Sequence, residues 1–212
     1  MAKGDKARKQ SWQKRKSNSF RRSMGTKGKP YQRILVVCEG EKTEPYYFQQ
    51  FRVTSAEVQV VGTGYNTLSL VDEAIRLKKK ARQNEEPFDQ VWCVFDVDSF
   101  PANNVNRAWD KAKKNKIHTA LSNEAFELWF LLRFDYITAA HSRDRYQEML
   151  SQRLGKKYEK NSLEIYRDLY PMQAQATENA QKLMDQYNPR NPSQDKPCTE
   201  VHLLVMELNR QK

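Results

Sequence analysis

The chain has 212 residues, of which 38% are hydrophobic and 11% aromatic, and it carries a formal net charge of +11. That length suffices for one domain with a real core, while no apolar run approaches the ~18 residues of a membrane span and the N-terminus lacks the apolar stretch of a secretory signal. Three cysteines without paired spacing fit neither a disulfide scaffold nor a zinc cluster, so a reducing cytoplasm is the expected setting.

The charge is unevenly spread. Residues 1–33 hold 12 Lys/Arg and one acid, Asp5, whereas residues 34–212 hold 25 basic and 25 acidic residues. The first 32 residues lack a sustained apolar period and read as a disordered or weakly helical basic tail. Lys14, Arg15, Lys16, Arg21 and Arg22 would attract a polyanion by Coulomb force and counterion release, and Trp12 and Phe20 could stack on unpaired bases. The alternative is a solvated tail that aids solubility.

Ile34–Cys38 is a short continuous apolar run, as expected of a strand buried on both faces. Thr43-Glu44-Pro45 then opens a helix with a hydroxyl cap, an acid and an early proline. Glu57–Val61 reads as a second strand ended by Gly62-Thr63-Gly64. Asn66 caps a helix whose Leu68, Val71, Ala74 and Ile75 face inward, with Lys78–Lys80 as its solvated end. Val91–Phe95 is a third buried strand, a helix fills about 102–115, and Lys116–Leu121 is a fourth strand. This alternation predicts an α/β fold with a doubly wound sheet of about four parallel strands. From Ser122 the pattern turns helical. Phe126, Trp129, Phe130 and Arg133 lie on one helix side; Tyr146, Met149, Leu150 and Leu154 mark another helix. Asn161 and Glu164 resemble a capping box. Val201, Leu204, Val205 and Leu208 form the stripe of a final helix. The expected division is a tail at 1–32, a core at 33–135 and a helical C-terminal part at 136–212 packed on that core.

Two acidic groups follow buried strands: Glu39-Gly40-Glu41 after the first and Asp96-Val97-Asp98 after the third. In a doubly wound sheet the carboxyl ends of the strands open onto the ligand crevice, so the two groups meet if those strands are neighbours. Packed carboxylates raise one another's pKa unless a cation relieves them. A hard divalent ion prefers oxygen ligands, which makes Mg²⁺ the expected ion, with Mn²⁺ as a substitute, held among these carboxylates. Such a site suits phosphoryl transfer. The alternative is that these acids are ordinary loop or capping residues. Lys42 could stabilise charge on a cleaved phosphate or pair with an acid. Glu127 could be a further ligand or positioning carboxylate, or a helix-terminal acid. The three histidines have no ligand spacing, Cys38 and Cys93 read as small core residues, and no phosphate-binding G-x-x-x-x-G-K-[ST] run is present.

The stretches ILVVCEGEKTEPYYF, VWCVFDVDSF, SNEAFELWFLLRFDY and CTEVHLLVMEL resemble, in order and spacing, the RloB-like (AbiLii-like) family across about 31–212. The resemblance implies a relation to the Toprim fold, with Glu39 acting in acid–base chemistry or metal binding and Asp96 and Asp98 binding Mg²⁺. It also implies a component of antiphage defence, working beside an ABC/SMC-like ATPase and acting on RNA (tRNA included) or DNA. One departure is that Glu124 stands where the family's Ser-Asn segment is usually followed by proline. A non-catalytic sensor or nucleic-acid-binding subunit is the competing expectation. A small-molecule phosphatase fits poorly, because the DVDS motif follows the third strand rather than the first.

Overall fold

The computed structural model describes residues 31–97, 101–162 and 164–212. The 1–30 part of the basic tail, with Lys14, Arg15, Lys16, Arg21 and Arg22, lies outside the described residues, as does Asp98.

Four parallel strands form the sheet: β1 (Gln32–Cys38), β2 (Ala56–Gly62), β3 (Gln90–Asp96) and β4 (His118–Asn123). A fifth, two-residue strand, β5 (Cys198–Thr199), adds to β4 in the antiparallel sense, and the order is β2-β1-β3-β4-β5. The expectation of about four parallel strands has no counterpart of this fifth, antiparallel one. Two residues are too few to show a strand period, and β5 exists because Ser122 Oγ and Thr199 Oγ1 lie 2.8 Å apart and Glu200 N–H donates to Leu121 O at 2.7 Å.

The continuous apolar runs have the expected cause, since both faces of the sheet are covered. Ile34, Val36, Cys38, Trp92, Val94 and Ala120 face one layer of helices, and Leu35, Val37, Val91, Cys93, Phe95 and Leu121 face the other. The second layer holds α2 (Thr67–Gln83) and α3 (Ala102–Lys114). Asn66 caps α2 as expected, its side chain accepting from Ser69 N–H at 3.1 Å. Lys78 is not simply solvated: its ammonium donates to Asn115 O and Lys116 O, both at 2.9 Å, tying α2 to the end of α3.

The first layer holds α1 (Thr43–Gln49), α4 (Glu127–Leu131), α5 (Arg143–Leu154), α6 (Ile165–Leu169), α7 (Gln173–Met184) and α8 (Val201–Arg210). Helix α8 buries the expected Val201, Leu204, Val205 and Leu208. Helix α7 escaped the sequence reading because its inward stripe, Ala176, Ala180 and Leu183, is mostly alanine and includes the buried Asn179, whose amide donates to Leu132 O at 2.8 Å. The two hydroxyl and amide caps read at α1 and α6 are not formed. Thr43 Oγ1 instead donates to Lys160 O at 2.7 Å and approaches Asn161 Oδ1 at 3.3 Å. That exchange ties the start of α1 to a loop more than 100 residues away.

Tyr47 is the hub of this layer, with edge-on contacts to Phe48, Phe51, Phe126, Phe130 and Tyr166 at centroid distances of 5.2–5.7 Å. Such pairs contribute about 0.5–1.5 kcal/mol each beyond area burial. Arg133 is buried beside it. Its guanidinium donates to Trp129 O (2.6 Å), Leu169 O (3.1 Å) and Tyr47 Oη (2.7 Å) and lies 4.5 Å from the Trp129 ring centroid. Carbonyls, a phenol and aromatic faces replace the carboxylate a buried cation usually requires.

Candidate functional site

Because β1 and β3 are neighbours, their carboxyl ends lie side by side. Glu39 N–H continues the ladder to Val94 O at 2.9 Å, and Asp96 N–H donates to Glu39 Oε2 at 3.2 Å. The two acidic groups therefore meet at one point of the sheet's edge. The chain then turns through Gly40 into α1, bringing Glu44 back over the turn. A Cβ on Gly40 would meet the Glu44 carboxylate, so a side chain there would have to displace that acid.

Glu44, Asp96 and Glu127 are all buried, at 6%, 6% and 1% exposure. Arg143, the first residue of α5, donates to Asp96 Oδ2 at 2.7 Å, and Gln147 on the same helix donates to Glu127 Oε1 at 3.0 Å. Despite the ion pair, the Asp96 carboxyl is held well above the ordinary carboxylate range. Burial is the main cause and Glu44 the next; Arg143 opposes, and Glu127 and Glu39 add to the rise. Burial also raises Glu44, opposed by its own backbone N–H and by Lys160. Among the described residues the buried Tyr158 hydroxyl has no hydrogen-bond partner, and its pKa is pushed up by burial and by Glu127, Glu44 and Asp96. Four carboxyl groups, Glu39, Glu44, Asp96 and Glu127, thus share one region.

A cleft of about 440 Å³ opens over this region, lined by Glu39, Glu44 and Asp96 and by the cations Lys42, Arg143 and Lys160. Of the site residues expected from sequence, the structure brings Glu39 and Asp96 together, places Lys42 exposed on the cleft wall and buries Glu127 near Asp96. Among the described residues, no group of three or more His, Cys, Asp or Glu side chains is drawn close enough to hold a metal ion. Glu39, Glu44, Asp96 and Glu127 nonetheless offer carboxyl oxygens, the donor type that a hard divalent cation prefers. Sequence reasoning missed Arg143, Lys160 and Tyr158, for which no local motif exists. Glu44 was visible in EGEKTE but read equally well as a helix-terminal acid.

The cysteines, His118 and His202 are engaged elsewhere in the fold. All three cysteines are free and buried, and burial pushes the Cys93 and Cys198 thiols up to about 12. His118 stacks on Trp92 at 4.6 Å, and His202 is packed between Thr199 and Gln181.

The family model described as RloB-like protein matches residues 34–208. The chain belongs to the RloB-like family. No curated protein and no solved structure matches this RloB-like chain. The matched span runs from the start of the buried β1 core to the last turns of α8, so it includes every side chain of the cleft described above. Among the described residues, no helix of the RloB-like chain is long and apolar enough to cross a membrane.

Proposed function

We propose that this RloB-like chain is a Toprim-related, Mg²⁺-dependent phosphodiesterase acting on nucleic acid, RNA (tRNA included) or DNA, as a component of antiphage defence. The observation that carries the reading is the convergence of Glu39, Glu44, Asp96 and Glu127 beneath a cleft whose wall bears Lys42, Arg143 and Lys160. Clustered carboxyl oxygens beneath basic side chains suit a cation and a phosphate bound together.

In this reading Asp96 and Asp98 hold the metal, with Glu39 as a further ligand or as the general base. When bound, Mg²⁺ would polarise the phosphate and lower the pKa of an attacking water. As general base, Glu39, half-buried at the cleft wall, would take the proton of an attacking water, a role worth about 10²–10⁴-fold. Lys42 and Arg143 would neutralise charge on the phosphate oxygens. The basic tail would retain the polyanion.

The test is incubation of purified protein with labelled tRNA, single-stranded DNA and duplex DNA in Mg²⁺, Mn²⁺ or EDTA, with and without an ABC/SMC-like ATPase partner. Cleavage should require metal and vanish in Glu39→Ala and Asp96→Ala proteins that remain folded. Undiminished metal-dependent cleavage by those variants would remove the assignment.

A second reading is a non-catalytic sensor or binding subunit working with the ATPase. It is favoured by the Arg143–Asp96 ion pair, which already supplies Asp96 with a positive partner. Calorimetry showing no Mg²⁺ binding, with all cleavage confined to the partner, would select it.

A further inference from the structure

Tyr65 lies just beyond β2, and its ring is 49% exposed on the wall of the cleft that holds Glu39 and Asp96. Other exposed tyrosines are engaged elsewhere. Tyr170 tilts against Tyr166 at 5.4 Å and sits under Lys212, and the Tyr136 hydroxyl accepts from Gln186. Tyr65 is also held in place. Its N–H donates to Thr63 Oγ1 at 3.2 Å, that hydroxyl donates to Cys38 O at 3.0 Å, and Gly64 N–H donates to Glu39 O at 2.9 Å. The segment lies flat on the Glu39 turn because Gly62 has no side chain: a Cβ there would come within 2.7 Å of Gly40 O and 2.8 Å of the Glu41 Cα. The backbone that carries this exposed ring is thus held by hydrogen bonds to the turn that bears Glu39.

We propose that Tyr65 is a stacking platform for an unpaired base of the nucleic acid whose phosphate enters the cleft. The substrate is then single-stranded, or has one nucleotide turned out, at that position. A base inside a duplex has both faces covered by its neighbours, whereas an unstacked base offers a face to an aromatic ring. The cleft's volume lies in the range that holds a nucleotide-sized ligand. Lys42, Arg143 and Lys160 supply positive charge for the phosphates on either side of the stacked base. The proposal rests on the nucleic-acid reading of the cleft, and not on whether the bound strand is cut.

The test uses the full chain with a short labelled single strand, the same strand paired in a duplex, and a mononucleotide, in Ca²⁺ and at salt high enough to weaken tail contacts. The wild type should bind the single strand more tightly than the duplex or the mononucleotide. Tyr65→Ala should weaken single-strand binding about 5- to 100-fold, the range of one lost base stack, whereas Tyr65→Phe should bind like the wild type. Scanning an abasic site along the strand should find one position that costs the wild type the same factor and costs Tyr65→Ala nothing further. Equal binding by Tyr65→Ala, an undiminished abasic penalty in that variant, or equal affinity for strand and mononucleotide would overturn the proposal. The outcomes separate from the nuclease assignment. Metal-dependent cleavage with a neutral Tyr65→Ala sinks only the stacking role, and stacking without cleavage sinks only the catalysis.

Discussion

At the scale of single residues, the chemistry is set by charges placed where water is scarce. Asp96 is the clearest case, because one guanidinium faces an acid that three other acids crowd. Arg143→Ala leaves that carboxylate without its short partner. The metal-free protein should lose about 1–3 kcal/mol in urea denaturation, less than a fully buried pair because Arg143 keeps some solvent contact. Added Mg²⁺ should recover more stability in this variant than in the wild type. His202 shows the opposite polarity. Its ring nitrogens lie 3.1 Å from Thr199 O and from Gln181 Oε1, but burial is the larger effect and brings its pKa down to about 4. The unfolded chain takes up the proton near 6.5 and the folded chain only near 4. The stability contributed by neutral His202 is therefore complete above pH 6.5 and is lost as pH falls through that window. The loss should be at most about 3 kcal/mol. His202→Gln should flatten this part of a stability–pH profile measured by denaturant titration.

At the scale of elements, two contacts decide how the cleft is assembled. The first is the close approach of β2's end to the Glu39 turn. Gly62→Ala would set a methyl group against backbone atoms that cannot step aside, costing about 1–3 kcal/mol. It should also reduce metal-dependent activity more than the stability loss alone explains, which comparison of activity and folded fraction at one temperature would show. The second is the aromatic cage around Arg133, which locks α4 against α1 and the start of the 3₁₀ turn after α6. Lysine has neither the fork nor the flat face. Arg133→Lys should cost about 2–4 kcal/mol, read as a shift of the urea midpoint at unchanged slope. The elements differ in how far they could be read in advance. β1, β3, α2 and α8 show themselves because long apolar or periodic runs have one reading. Helix α7 hides because alanine marks its buried face so weakly. Thr43 and Asn161 misled because a hydroxyl or amide near a helix start serves a distant partner as readily as a local cap.

At the scale of the whole molecule, the proposed metal binding would be linked to folding. If the carboxylates hold Mg²⁺ in the folded state alone, saturation at one hundred times the dissociation constant should stabilise the protein by about 2.7 kcal/mol. A thermal-shift titration should show this in the wild type and lose it in Asp96→Asn. The chain's end is also part of this fold. The Gln211 carbonyl accepts from Thr54 N–H at 2.7 Å and Ser55 N–H at 3.0 Å, clamping the residue after α8 to the entry of β2. The uneven charge of the sequence makes a separate prediction. Neutralising Lys14, Arg15, Lys16, Arg21 and Arg22 should shallow the dependence of log K on log salt, from a slope near −4 to −5 if about five phosphates are engaged.

The ladder of apolar runs, the alternation of strand and helix and the two acidic groups after β1 and β3 are local in the chain, so composition and spacing are enough to reveal them. Strand order is not local, and it is the adjacency of β1 and β3 that sets Glu39 against Asp96. Arg143, Glu127, Lys160 and Tyr158 reach the same place from segments 30 to 120 residues away from one or other of those acids. No periodicity links such positions, because what brings them together is the packing of α4 and α5 over one face of the sheet.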